Sequence, residues 1–282
     1  MPIVKSIRTL RSLLQKARLK KKTIGFVPTM GALHGGHLSL IRICQKENDL
    51  TVLSIFVNPT QFGPQEDFKN YPREIKRDIL LAKKENADII FYPSAEEMYP
   101  SGYLSCVEVK EPGNILCGQF RPGHFQGVAT VVAKLLNIVE PDVLYLGQKD
   151  AQQAIILKKM VKDLNFSVNV KICPTVRGQD GLALSSRNSY LTQEERQEAP
   201  ILYQALLQAK KRIEQGEDNS QNIIGFIREH IEKNSSGKIQ YIECVEGGSL
   251  RSLKKLKGKI LIALAVFFGK TRLIDNILVN VK

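Results

Sequence analysis

Three segments of this chain carry the residue types that handle phosphates. The first, Pro28-Thr29-Met30-Gly31-Ala32-Leu33-His34-Gly35-Gly36-His37, sets two histidines three residues apart among three glycines. Gly31, Gly35 and Gly36 let the backbone approach a ligand closely. A helix starting near His37 would aim free N–H groups and the positive end of its dipole at the same point, which makes an anion site, most naturally for phosphates. His34 and His37 stand where they can donate hydrogen bonds to phosphate oxygens. The second segment is Gly147-Gln148-Lys149-Asp150. A lysine between a strand and a helix can neutralise charge as it builds on a leaving triphosphate. Asp150 can orient a ribose, the lysine or a magnesium ion, or simply sit at a helix N-terminus as acidic residues do. The third, Leu184-Ser185-Ser186-Arg187, offers two hydroxyls and a guanidinium on a loop.

Two glutamines stand near these segments. Gln61 and Gln153 can each donate and accept hydrogen bonds, which suits a small substrate carrying hydroxyl and carboxylate groups. Other chemistries are excluded by spacing. No Gly-Lys-Ser/Thr ends the first segment, so it is not a P-loop, and it lacks the GxGxxG dinucleotide fingerprint. Histidines at i and i+3 separated by glycines do not make the i, i+4 zinc motif with its glutamate. Of four histidines, His34, His37 and His124 all lie in or near glycine-rich loops.

The elements that must position these residues are legible as period. Thr23–Val27, Leu50–Val57, Asp88–Tyr92, Asp142–Leu146 and Ser167–Ile172 read as short apolar strands. Between them, His37–Lys46, Arg73–Lys84, Val128–Val139 and Ala151–Leu164 read as helices. This alternation predicts a parallel sheet with helices on both faces, an α/β, Rossmann-like N-terminal domain over residues 1–186. Ligands of such sheets bind outside the carboxyl ends of the strands, and the unusual segments fall there. Pro93–Gly123 breaks the rhythm, as an active-site lid or an inserted substructure does. Past Asn188 the pattern changes. Helices at Gln193–Gln215 and Gln221–Lys233 precede strands at Ile239–Val245, Lys259–Phe267 and Thr271–Val279, which predicts a smaller α+β C-terminal domain over 187–282.

Composition sets outer bounds. The 282 residues are 43% hydrophobic and 24% charged, values of a folded soluble protein. Five cysteines without a CxxC pair read as reduced thiols of a cytoplasmic protein. The N-terminal stretch lacks an apolar signal core, and Ile7, Leu10, Leu13 and Leu14 predict an amphipathic helix instead. No segment approaches the ~20 apolar residues that cross a bilayer, so no membrane role is expected. The net charge of +13 raises nucleic-acid binding as a reading, but basic residues are spread along the chain and no nucleic-acid motif accompanies them.

Taken together, these segments resemble one family. PTMGALHGGH (Pro28–His37) resembles the nucleotide-binding signature of the pantothenate synthetases, their version of the HxGH motif of class I aminoacyl-tRNA synthetases and related nucleotidyltransferases. NPTQFG with EDFKNYPR (Asn58–Gly63, Glu66–Arg73), FRPGHFQGVATVVAKLLNIV (Phe120–Val139), GQKDAQQ (Gly147–Gln153) and DGLALSSRN (Asp180–Asn188) resemble the family's further blocks, in order.

The resemblance implies an ATP-dependent acid–amine ligase. (R)-pantoate and β-alanine would condense to pantothenate through pantoyl adenylate, releasing pyrophosphate and AMP. It implies that Met30, Gly31, Ala32, Leu33, His34, Gly35, Gly36 and His37 bind ATP, with His37 as general acid and His34 beside it on the phosphates. Gly147, Gln148, Lys149, Asp150, Val176, Leu184, Ser185, Ser186 and Arg187 would complete the ATP site, with Lys149 on the phosphates. Gln61 and Gln153 would hold pantoate, and Gln61 also β-alanine. Mg²⁺ is expected on the triphosphate, bound mainly by phosphate oxygens and water, with Asp78 and Asp150 as candidate protein ligands. A homodimer is implied, and a C-terminal domain that closes over the active site.

Two positions depart from the family pattern. Gln148 replaces a usual glutamate, and Ala151 a usual aromatic residue. Two alternatives stand beside this reading. Another small-acid adenylating ligase or nucleotidyltransferase would keep the scaffold and change the acid. A nucleic-acid-binding protein would bind tRNA with a steep salt dependence.

Overall fold

The computed structural model describes residues 1–64 and 66–281. The chain falls into two compact units. One comprises Met1–Gln148 and Gln153–Pro174, the other Lys149–Gln152 and the residues from Thr175 onward. Residues 175–186, which the sequence assigns to the first domain, thus pack with the second unit.

The elements of the first unit are β1 (Ile3–Val4), α1 (Ile7–Leu19), β2 (Ile24–Thr29), α2 (Gly35–Glu47), β3 (Leu50–Ile55), α3 (Ile75–Lys84), β4 (Ile89–Phe91), α4 (Ala95–Met98), α5 (Cys117–Phe120), α6 (His124–Val139), β5 (Val143–Gly147), α7 (Ala151–Asp163) and β6 (Asn169–Cys173). The strands form one parallel sheet in the order β1-β4-β3-β2-β5-β6. Successive strand residues point to opposite faces. Phe26, Val52, Phe91, Leu144 and Leu146 therefore pack with α1, α6 and α7. Their neighbours Val27, Leu53, Ile90 and Tyr145 pack with α2 and α3. Helix α6 is apolar around most of its circumference and is almost wholly buried, as such a helix must be. The expected α/β fold of this part is what the structure contains.

The sheet order fixes where ligands go. From β2 the chain moves to β3 and β4 on one side, then returns through β5 to the other side of β2. The carboxyl ends of β2 and β5 flank this reversal, where an open α/β sheet leaves a crevice. The loops that leave there carry His34–His37 and Gly147–Gln148.

Three local differences from the sequence reading have simple causes. Strand β1 has two residues and no period to detect, yet it pairs with β4 at the sheet edge. Helix α2 begins two residues early, at Gly35, because His34 caps it. The stretch between Pro93 and Gly123 holds α4 and α5 and is laid along α6: Val107 N–H donates to Thr130 Oγ1 at 2.9 Å, and Val107 and Val109 pack on the core.

The second unit contains α8 (Gln193–Glu198), α9 (Ile201–Glu214), α10 (Ser220–Asn234) and an antiparallel sheet β7 (Lys238–Glu246), β8 (Gly258–Phe268) and β9 (Thr271–Val281), in that order. The single helix expected over 193–215 is two. Pro200 lacks the N–H of an interior helical residue and its ring crowds the preceding turn, so α8 ends before it. A capping box of Thr192 and Glu195 starts α8. Helices α9 and α10 bury Leu206, Ile213, Ile223 and Ile227 against Ile260, Ile262 and Leu264 of β8.

No helix among the described residues is long and apolar enough to cross a membrane. Burial pushes the thiols of Cys44 and Cys244 up to about 12. Iodoacetamide at about pH 8.5, the ordinary thiol pKa, should therefore leave both unmodified in the native protein and alkylate both in urea. Peptide mass spectrometry reads the difference.

Candidate active site

The loop between β2 and α2 is built from the inside. Thr29 Oγ1 donates to Ser54 O at 2.7 Å and accepts from Gly31 N at 3.2 Å. Gly31 and Ala32 both have positive φ, 83° and 50°, a conformation costly for Ala32 and free for glycine. The bend turns two backbone donors inward, and Asp78 of α3 takes both. Its Oδ2 accepts from Ala32 N at 3.0 Å and its Oδ1 from Leu33 N at 2.8 Å. Asp78 is 1% exposed. Burial pushes its carboxyl above the ordinary carboxylate value, although the two N–H bonds pull the other way.

Beyond the bend, His34 is the N-cap of α2. Its Nδ1 accepts from Gly36 N at 3.1 Å, so the imidazole carries its proton on Nε2 and presents a donor there. A Cβ at position 36 would lie 2.9 Å from His34 Cε1, so glycine lets the ring fold back over the helix start. The His37 ring lies against it, tilted by 40°, with centroids 4.1 Å apart. The first turn of α2 has no acidic residue, so nothing on it cancels the positive end of the dipole.

After β3, a 3₁₀ turn, Pro59–Gln61, carries the first glutamine. Asn58 organises it. Its Oδ1 accepts from Tyr99 Oη–H at 2.8 Å and from the Thr60 hydroxyl at 3.0 Å. Its Nδ2 donates to Gly127 O and to Gln61 Oε1, each at 3.1 Å. With Oε1 so engaged, the amide nitrogen is the outward end of Gln61, and it reaches Met30 Sδ at 2.9 Å. Gln153 is half-buried in the first turn of α7.

The other segments lie in the second unit. Lys149 and Asp150 form the end of a 3₁₀ turn after β5, with Nζ 3.5 Å from Asp150 Oδ1. Asn276 of β9 donates its amide to Lys149 O at 2.9 Å. Val176 and Leu184 are paired, Leu184 N donating to Val176 O at 2.9 Å. Next to them Arg177 makes a two-pronged ion pair with buried Asp275, at 2.6 and 2.8 Å, and lies 3.5 Å over the Tyr203 ring. Ser185 caps a 3₁₀ turn, Ser186–Tyr190, and its Oγ accepts from Arg187 N at 3.3 Å.

The residues singled out from sequence thus fall into two groups. Met30–His37, Gln61, Gly147, Gln148 and Gln153 lie in the first unit; Lys149, Asp150, Val176 and Leu184–Arg187 lie in the second. Asp78 departs from its expected part. Both its oxygens accept from loop amides and it is buried, so it acts as the loop's internal anchor. Among the described residues no group of three or more His, Cys, Asp or Glu can hold a metal ion. The sequence reading passed over Asn58, Asn276 and the structural part of His124. Only Asn58 had a local signal, as an Asn-Pro before a turn.

Known proteins match the chain over its length. The model of the family described as pantoate-beta-alanine ligase matches residues 2–278. A pantothenate synthetase of Caldicellulosiruptor bescii is 55% identical over 282 residues, covering 100% of both chains. One of Acetivibrio thermocellus is 50% identical, again over 100% of both. The crystal structure of pantothenate synthetase from Thermus thermophilus superposes with a TM-score of 0.93 at 42% identity, covering 98% of this chain and 99% of that one. A pantoate-beta-alanine ligase of Francisella tularensis, complexed with beta-gamma ATP and beta-alanine, has a TM-score of 0.80 at 40% identity, covering 99% and 97%.

Asp78→Asn keeps one acceptor and turns an amide N–H₂ toward a backbone donor. One loop amide should then lose its partner, at a cost of ~1–3 kcal/mol. Urea unfolding should show the loss, and hydrogen exchange should speed up at Ala32 and Leu33.

Proposed function

The chain belongs to the pantoate–β-alanine ligase family, and from that premise we propose how its residues divide the work of an ATP-dependent ligase joining (R)-pantoate to β-alanine. The observation that carries the assignment is the start of α2: a capping His34 whose Nδ1 accepts from Gly36 N, the His37 ring against it, and a first turn without acidic residues. Such a terminus holds phosphate oxygens.

The reaction proceeds in two transfers. A pantoate carboxylate oxygen attacks the α-phosphorus, forming pantoyl adenylate, and pyrophosphate leaves. The β-alanine amine then attacks the acyl carbon, the C–N bond forms and AMP leaves. Both nucleophiles belong to substrates, so the protein contributes position and charge. His34, the α2 amides, Lys149, Ser185, Ser186 and Arg187 bind the phosphates, and His37 acts as general acid for the departing pyrophosphate. Met30–Leu33, Gly147, Gln148, Asp150, Val176 and Leu184 line the rest of the nucleotide site. Gln61 presents amide N–H groups to pantoate, and later to β-alanine, while Gln153 binds pantoate.

Mg²⁺ would enter with ATP and neutralise phosphate charge, ligated by phosphate oxygens and water. Among the described residues no group of three or more His, Cys, Asp or Glu gathers to hold it, and Asp78 anchors the loop. We further propose a homodimer acting in the cytoplasm.

ATP–pyrophosphate exchange with Mg²⁺, with pantoate present and β-alanine absent, tests the first transfer. Exchange should depend on pantoate, and Lys149→Ala should reduce it by ~10²–10³, the range for loss of one group that stabilises transition-state charge. Folded protein that binds ATP but shows no pantoate-dependent exchange would move the search to other acids.

A further inference from the structure

The mechanism above leaves unused a buried titratable side chain next to the turn that carries Gln61. His124 opens α6 and is 9% exposed. Its Nδ1 lies 2.8 Å from Gln61 O, and its Nε2 lies 3.0 Å from an Arg121 terminal nitrogen. These two contacts fix its protonation state. A guanidinium has donors only, so Nε2 accepts. A carbonyl has lone pairs only, so Nδ1 donates. His124 is therefore the neutral imidazole with its proton on Nδ1.

Arg121 is locked in turn. It grips Glu66 with two bonds of 2.6 Å. Burial opposes charge on both partners, yet each stabilises the other's ionised form: Glu66 is held below, and Arg121 above, its ordinary value. The groups near the imidazole include Arg121, Glu66 behind it, the Cys117 thiol beside Arg121, and the edge of the Phe125 ring. One turn further along α6, a Cβ on Gly127 would lie 2.3 Å from Thr60 O and 2.7 Å from Gln61 N. The helix backbone is thus pressed directly on the turn that carries Gln61, and Asn58 ties the turn to Gly127 O.

We infer that His124 is a positioning residue of the acid-binding pocket, which in its neutral Nδ1–H form holds the Gln61 backbone so that the Gln61 amide faces the substrate. This rests on the reading that Gln61 binds pantoate. Protonation of His124 would remove the acceptor facing Arg121 and set an imidazolium against a guanidinium. The pair would separate and Gln61 would lose its register. The KM for pantoate should accordingly rise as pH falls through the His124 transition, while the KM for ATP does not follow it.

The test compares wild type with His124→Ala, His124→Asn and Gln61→Ala in steady-state kinetics across pH. Asparagine places an amide donor near the position of Nδ1 and cannot titrate. His124→Ala should raise the KM for pantoate about ten-fold, a change of about 1.4 kcal/mol, and leave the KM for ATP within about two-fold. His124→Asn should restore the neutral-pH KM and abolish its rise in acid. Nitrogen-15 spectra of the histidines, assigned by difference with His124→Asn, should show a protonated Nδ1. That readout stands even if His124→Ala does not fold. If Gln61→Ala raises the pantoate KM but neither His124 variant alters its size or pH profile, or if the proton sits on Nε2, the inference is overturned. If Gln61→Ala leaves the KM unchanged, the pocket reading falls and this inference with it.

Discussion

Between β2 and α2 two successive residues with positive φ turn the backbone so sharply that the N–H groups of Ala32 and Leu33 point into the protein. No strand or helix takes them up, and a buried donor without a partner costs ~1–3 kcal/mol. Asp78 takes both, and the course of the loop into α2 depends on that capture. With the bend fixed, α2 starts at the carboxyl edge of the sheet, next to the strand reversal, and its N-terminus looks outward. His34 can then fold back as a cap because position 36 has no side chain to obstruct it. One carboxylate thereby fixes the bend from which α2 starts.

The Pro59–Gln61 turn depends on a different device, close backbone packing. Gly127 lets α6 meet the Pro59–Gln61 turn without a Cβ between them. Asn58, 1% exposed, saturates its side chain with partners from the turn, from Tyr99 and from α6. Satisfied buried amides specify one arrangement where an apolar contact would allow several. The Gln61 amide is oriented as a result, and its contact with Met30 Sδ couples this turn to the nucleotide loop.

How much of this was legible in sequence follows from the range of the interactions. Strand period and glycine loops are local, and they were enough for the sheet and the loops at its carboxyl edge. The anchors are not local. Asp78 lies 46 residues from Ala32, and Asn276 lies 127 residues from Lys149. No window of sequence joins them, so Asp78 read as a spare carboxylate open to a metal. His124 looked like another loop histidine because the start of α6 was placed four residues late. Pro200 was a readable break within an otherwise continuous helical period, and backbone chemistry there outweighs the pattern of apolar residues.

The same accounting bears on the high positive charge. Arg121 and Arg177 are each committed to a carboxylate, Glu66 and Asp275. Such buried pairs add little stability in themselves, but removing one partner strands the other charge. Arg177 therefore ties the 176–184 segment to β9. Adjacent strand residues face opposite ways, so Asp275 serves Arg177 while Asn276 is left to reach the carbonyl of Lys149. A one-residue slip of β9 would exchange those two partners and release the lysine. The placement of Lys149 is thus set by the register of a strand far along the chain, and the net charge of the protein has no direct part in it.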